Sequence, residues 1–280
     1  MTMPLDWSYG WCRQVARKRA RNFYYSFVLL MREQRDAMCA AYAFMRYCDD
    51  LSDEPGANRA AVEQWRKALD EALAGRCDAH PVLPAFHDTV TRYQIPPRYF
   101  HEMIDGVASD LEPHRFETFE QLYRYCYQVA STAGLATIHI LGFESPEALP
   151  LAEKCGIAFQ LTNILRDIRE DAARGRIYLP AEDLARFRVT QEDIRGGMRT
   201  PEFIDLMDFE TDRARRYYKA SQPLVSLVDR RSRASLTALI AIYSRLLDRI
   251  ERSNYDVFAR RISLPAWEKS WIVVRTLLHR

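Results

Sequence analysis

Residues 155–180 read CGIAFQLTNILRDIREDAARGRIYLP, and this stretch decides the fold. Ile157, Ala158, Phe159, Leu161, Ile164, Leu165 and Ile168 cover most of the circumference of a helix. A helix that is apolar nearly all round belongs in a core. Yet Gln160, Asn163, Asp167 and Asp171 stand at offsets 0, 3, 7 and 11, one stripe about 80° wide at roughly 3.6 residues per turn. A narrow polar stripe on a buried helix is costly unless its charges are paired or hold a cation.

The pattern occurs twice. Residues 37–48 read AMCAAYAFMRYC, with Arg46 the only charge, and run into Asp49-Asp50-Leu51-Ser52-Asp53-Glu54. Tyr42, Arg46, Asp49 and Asp53 stand at offsets 0, 4, 7 and 11, an arc of about 60°. Acids spaced i, i+4 repel one another. One such pair is explained by a frayed helix end whose carboxylates meet water. Two pairs, each closing a buried helix with a matching upstream stripe, predict carboxylate clusters facing each other across a cavity. Hard oxygen donors in that arrangement favour Mg²⁺. The six histidines are isolated and the six cysteines lack any CxxC spacing, so zinc and a disulfide framework are not indicated.

Outward from these helices the period stays helical. Helices are predicted near 33–53, 58–74, 81–93, 97–110, 117–142, 147–172, 200–228 and 231–259. They are broken at Glu54-Pro55-Gly56, Ile95-Pro96-Pro97, Glu112-Pro113, Gly142 to Pro146, Leu179-Pro180 and Gly196-Gly197. Thr118 and Gln121 have the spacing of a capping box. Connections are short and no linker divides the chain, which predicts one all-α domain over residues 1–280. The chain carries 40 basic and 38 acidic residues, a net +2, so no global field points to nucleic acid. Of the basic residues 35 are Arg and five Lys, a bias that suits phosphate or carboxylate recognition as well as a GC-rich genome. The longest uncharged run, Cys126 to Phe143, includes Gln128, His139 and two glycines and is read as a buried helix, not a membrane span.

These residues resemble the squalene/phytoene synthase family, the head-to-head prenyltransferases. The segments NFYYSFVLL, AAYAFMRYCDDLSDE, YCYQVASTAG, FQLTNILRDIREDAARGRIYLP and IYSRLLDRIERSNYDVF carry the likeness, from about residue 20 to 265. The resemblance implies a class I isoprenoid-synthase bundle, all-helical around a central cavity, that binds two prenyl diphosphates with Mg²⁺. It implies that Asp49, Asp53, Asp167 and Asp171, with Asn163, hold the metal. Arg21, Phe23, Tyr42, Arg46, Gln160, Asn163, Arg166, Arg176, Tyr243 and Arg260 match substrate contacts. Tyr125, Arg46 and Arg176 are implied as catalytic, Tyr125 handling a proton in the first half-reaction. Two departures stand out: Met31 replaces the proline usual after the Leu-Leu pair, and Asn22 stands where many members have Ser.

The chemistry is physically consistent. Metal ions and Arg clamps stabilise a departing diphosphate, and the allylic cation left behind must be shielded from water. Arg176 either closes over that diphosphate or partners Glu170 or Asp171. Val129, Thr132, Ala133 and Ala136 form a smooth stripe that suits either a prenyl channel, with Val129 and Ala133 against substrate, or close helix packing. Taken with YYSF and YAFMRYCDDLSDE, which look more like bacterial squalene- or hopanoid-pathway members, the resemblance favours two farnesyl diphosphates condensed to presqualene diphosphate. NADPH enters only if the reaction continues to squalene, and no GxGxxG is present. The alternatives are phytoene or dehydrosqualene synthesis and, from another class, a non-catalytic relative acting as a binding module. The first 20 residues, with Trp7, Tyr9 and Trp11 before a basic run, are expected to cap the site or rest weakly at a membrane surface. A cytoplasmic monomer or dimer, peripheral to the membrane at most, is expected.

Overall fold

A computed structural model describes residues 3–20, 22–53, 56–112 and 115–278. Among them are fifteen α-helices and no β-strand. They are α1 (Leu5–Arg19), α2 (Phe23–Phe27), α3 (Arg32–Asp53), α4 (Arg59–Leu73), α5 (Leu83–Arg92), α6 (Arg98–Ser109), α7 (Phe119–Cys126), α8 (Thr132–Leu141) and α9 (Ala148–Ala173). The rest are α10 (Ala181–Arg186), α11 (Gln191–Arg195), α12 (Pro201–Ser221), α13 (Leu224–Leu227), α14 (Arg233–Arg252) and α15 (Ala266–Leu278).

All eight predicted helices have a counterpart, the last ending at Arg252 instead of 259, while α1, α2, α10, α11 and α15 lie outside the predicted ranges; three further differences are instructive. The segment expected as one helix over 117–142 is interrupted at Tyr127–Ser131 by a π turn, in which the Thr132 N–H donates to the Tyr127 carbonyl. The helix expected over 200–228 breaks at Pro223, which cannot supply the next backbone donor. The capping pair at the start of α7 is half reciprocal. Thr118 accepts from the Gln121 N–H, but the Gln121 amide oxygen accepts from Glu117 instead.

Two apolar clusters organise the bundle. One gathers α1, α3, α5 and α6 around Phe44, whose ring stacks on Phe86 at 4.0 Å and meets Phe100 edge-on at 5.4 Å. Such aromatic pairs contribute about 0.5–1.5 kcal/mol each beyond area burial. The other gathers α7, α9, α12 and α14 around Ile157, Leu161, Phe203, Ile242 and Leu246. α8 packs on both α3 and α9 and so ties the clusters together. The N-terminal segment forms α1, laid on α3 and α5 through Ser8, Cys12 and Ala16. Its Ser8 hydroxyl donates to the Pro81 carbonyl and Tyr9 donates to Asp88. All six cysteines are buried free thiols.

Candidate active site

α3 and α9 meet a common cavity with the stripes read from the sequence. From α3 it is lined by Met38, Ala41, Tyr42, Met45, Arg46 and Asp49; from α9 by Cys155, Gly156, Phe159, Gln160 and Asn163. Phe23 and Phe27 of α2 and Leu236 and Leu239 of α14 complete the apolar walls. Tyr243, buried on α14, stacks on Phe159 at 4.3 Å and packs against Phe23 at 5.4 Å.

The π turn corrects the predicted channel face. Val129 and Ala133 line the cavity, but their companions are Ala130, Gly134, Thr137 and Ile138, while Thr132 and Ala136 are buried elsewhere. A π turn inserts one residue into the helical register, so downstream side chains facing the cavity come one position later. Small residues also let the walls approach. A Cβ on Gly156 would lie 2.5 Å from the Ser131 Cα.

The acids lie further along the same stripes. Burial pushes the Asp49 carboxyl up to about 7, with Asp53, Asp110 and Asp50 reinforcing the shift and Arg46 opposing it. Burial likewise pushes Asp171 up to about 7; the charges of Asp167 and, from the other motif, Asp53 add to it against Arg176 and Arg174. Arg176, bonded to Asp53, also acts on Asp171, so the acid ends of the two motifs lie near each other. Asp167 behaves oppositely. Burial alone would raise it, but Arg166 and Arg261 hold it below the usual carboxylate range. Arg261 reaches it with two bonds of 2.8 and 3.1 Å, and Arg166 Nε with one of 2.8 Å.

Arg176 spans the gap. Its guanidinium donates to Asp53 at 2.9 Å, to the Ser52 carbonyl at 3.0 Å and to the Asp110 carbonyl at 2.9 Å. Of the two roles open to Arg176, pairing with Glu170 or Asp171 is replaced by these bonds; the chain turns just before it at Gly175, with φ of 77°. Arg46 pairs with Asp50, not with either acid of its stripe, and its buried Nε has no acceptor. Asn163 Oδ1 is also buried without a partner. Tyr125 is buried but is not among the cavity-lining residues. Its hydroxyl donates to Asp110 at 3.0 Å, which also accepts from Tyr178 at 2.9 Å.

With this geometry in view, comparison with known proteins is decisive. The squalene/phytoene synthase family profile matches residues 16–268. This chain belongs to the squalene/phytoene synthase family. It is 38% identical to the 15-cis-phytoene synthase of Synechococcus elongatus, over 95% of this chain and 91% of that protein. The phytoene synthase of Arthrospira platensis is 37% identical over 94% of this chain and 90% of its own. Among solved structures, a dehydrosqualene synthase superposes with a TM-score of 0.92 at 28% identity, covering 98% of this chain and 97% of that one. The squalene synthase of Alicyclobacillus acidocaldarius gives 0.83 at 30% identity, covering 90% and 97%.

In this prenyltransferase the structure gathers Phe23, Tyr42, Arg46, Asp49, Val129, Ala133, Gln160 and Asn163 on the cavity wall. It sets Tyr243, Arg166, Arg176 and the remaining acids around them. Arg260 does not join them. It lines an exposed bay with Arg245, Arg249 and Arg252, and the adjacent Arg261 is the residue that reaches Asp167. Arg21 lies outside the described residues. Asp110 and Arg261 escaped the sequence reading, since neither sits on a stripe. The signal for Asp110 was an acid at the end of a helix that buries Tyr99, Phe100, Met103, Ile104 and Val107. No helix among the described residues is long and apolar enough to cross a membrane.

Proposed function

We propose that this prenyltransferase joins two geranylgeranyl diphosphates head to head to give phytoene. The observation that carries the reading is the 38% identity with a 15-cis-phytoene synthase over nearly the full length. It displaces the expectation of farnesyl condensation, which leaned on short N-terminal segments. The second reading, condensation of farnesyl diphosphate, is favoured by the likeness to dehydrosqualene and squalene synthase structures.

The donor set fits a hard divalent cation. Asp49 and Asp171 are crowded by like charge, and Asn163 Oδ1 is a buried acceptor with nothing to accept from. Among the described residues no three His, Cys, Asp or Glu side chains form a group that could hold an ion by themselves. Mg²⁺ keeps waters and shares substrate phosphates, so each ion would need only part of such a set. We assign Asp49, Asp53, Asp167, Asp171 and Asn163 as the residues that would hold such ions together with the diphosphates, where bound metal would neutralise diphosphate charge.

The chain's own residues account for the rest. Arg46 offers its unpartnered Nε–H, and Arg166 and Arg176 add positive charge, as the donor's C–O bond breaks and diphosphate leaves. Phe23, Tyr42 and Phe159 line the cavity with aromatic rings beside the allylic cation and exclude water. The acceptor's double bond attacks the cation, and loss of one proton closes a cyclopropane. Released diphosphate takes that proton, and Tyr125, bonded to Asp110 behind the wall, positions the residue whose carbonyl holds Arg176. A second ionisation, rearrangement and proton loss yield the central triene, so no reductant is consumed.

The test is incubation of purified protein with Mg²⁺ and either C15 or C20 diphosphate, with and without NADPH, followed by mass spectrometry of the lipids. Phytoene from the C20 substrate without NADPH is expected. A C30 product alone would transfer the assignment to the second reading, and no condensation from either substrate would overturn both.

A further inference from the structure

We propose that Asp110 is a positioning residue: its carboxylate and its own carbonyl together pin the loop that carries Arg176 beside the acid motifs, a role that rests on the diphosphate site of the proposed function. Asp110 caps the C-terminal end of α6, and Arg176 and Tyr178 follow α9 on one short loop. The Tyr178 hydroxyl donates to Asp110 Oδ1 at 2.9 Å, and Arg176 Nη2 donates to the Asp110 carbonyl at 2.9 Å. The loop is thus fastened at two points to a single residue of another element. Tyr125 of α7 donates to both carboxylate oxygens, at 3.1 and 3.0 Å. Its ring stacks on Tyr178 at 5.2 Å, and Tyr178 in turn stacks on Phe116 at 6.2 Å. Burial and the charge of Asp110 push both phenols well above the ordinary tyrosine range, so each stays a donor. Both oxygens of Asp110 are engaged by tyrosines, so it serves as an anchor and not as one of the metal-holding acids.

The bonds of Arg176 are divided between its two terminal nitrogens. Nη1 donates to the Asp53 carboxylate at 2.9 Å, while Nη2 donates to two backbone carbonyls, Ser52 at 3.0 Å and Asp110 at 2.9 Å. Asp53 also pairs with Arg174 at 3.2 Å. A cation held by Asp53 would compete with both arginines for that carboxylate, whereas neutral carbonyls carry no net charge to compete for. Nη1 is then released towards a diphosphate and Nη2 stays anchored. An arginine already fixed at one nitrogen has less freedom to lose when the other takes up phosphate. The Asp110 carboxylate is the side-chain part of this anchor, because it fixes Tyr178 two residues beyond Arg176. Removing it leaves the carbonyl but lets loop and acceptor drift apart, and a misplacement of about 1 Å can cost on the order of a hundredfold.

Calorimetry of the full chain with Mg²⁺ and inorganic pyrophosphate tests this without turnover. Asp110→Ala should weaken pyrophosphate binding about tenfold, the order of one hydrogen bond to a charged group. Asp110→Asn keeps an oxygen at Oδ1, which accepts from both tyrosines, and should recover most of that loss. In an Arg176→Gln background Asp110→Ala should add little, because residues that act through one another are not additive. Circular dichroism verifies that each variant folds. Should the Ala variant unfold, Tyr178→Phe removes the hydroxyl bond of the loop alone and should weaken binding severalfold. Binding by folded Asp110→Ala or Tyr178→Phe equal to wild type overturns the proposal. So does an Asn variant as weak as Ala, or a full further loss in the Arg176→Gln background. Wild type that binds no pyrophosphate overturns the diphosphate site, and this role with it. The expected binding pattern without any condensation product supports the anchor while overturning the prenyl condensation.

Discussion

α9 and α15 are amphipathic in opposite senses. α9 turns Gln160 and Asn163 towards an interior cavity, carries Asp167 and Asp171 further along the same stripe, and packs apolar residues around it. α15 turns tryptophans outward and buries Glu268 and Lys269. Each arrangement is costly alone. The difference teaches that the polarity of a helix face reports what must meet it, not simply whether it is inside. In α9 the buried acids meet the charges of Arg166, Arg261 and Arg176; in α15 the buried charges meet Arg245, Arg249 and the Tyr25 ring.

Removing the acids should produce the largest effect. Asp49→Ala or Asp171→Ala should lower turnover about a hundredfold to a thousandfold or more, measured as condensation product per minute, with helicity unchanged. A fully active variant would dissolve the contrast by making the α9 stripe structural. Next, Glu268→Ala should cost about 1–3 kcal/mol in urea unfolding, because Arg245 and Arg249 lose a buried acceptor.

A smaller effect separates the acids from each other. Asp49 and Asp171 are raised from 3.8 to about 7 in the folded state, so folding favours their protonated form. Without Mg²⁺ their contribution to stability is full below about pH 4 and is lost as pH rises towards 7. Asp171→Asn should flatten that slope and raise the cation-free melting temperature above pH 7, whereas Asp167→Asn should lower it, since Arg166 and Arg261 favour its charge. Melting curves from pH 4 to 8 for wild type and both variants test this. An identical slope in the Asp171 variant would show that the Asp171 carboxyl is not raised in the folded state. Smallest of all, Trp271→Ser should change stability by less than about 0.5 kcal/mol. A larger loss in chemical denaturation would mean that the residue is packed in solution, and would remove the outward half of the comparison.

Much of the site was legible because its two defining helices break an otherwise apolar pattern, and local periodicity alone reveals such a break. The arginine partners were not legible. Arg176 meets Asp53 just past the turn at Gly175, and Arg261 rather than Arg260 meets Asp167 because of how the chain turns after α14. Neither turn leaves a periodic trace. α15 lies beyond the last predicted helix, although Pro265 and the 267, 271, 274, 278 spacing were present to be read. An apolar stripe there looks like one more core face until the neighbouring charges are seen pointing inward.

Local order was thus determined by sequence alone: which segments are helices, and which carry acids that water or apolar packing cannot satisfy. Helical period and side-chain chemistry act over a few residues, so they survive in a linear string. Only the tertiary structure decided that the polar stripes of α3 and α9 meet at one cavity through Tyr42, Arg46, Asp49, Gln160 and Asn163, that a π turn rotates the channel face by a residue, and which face of α15 looks outward. Those outcomes depend on contacts between residues tens to hundreds of positions apart, and on the cost of leaving any one buried charge without its partner.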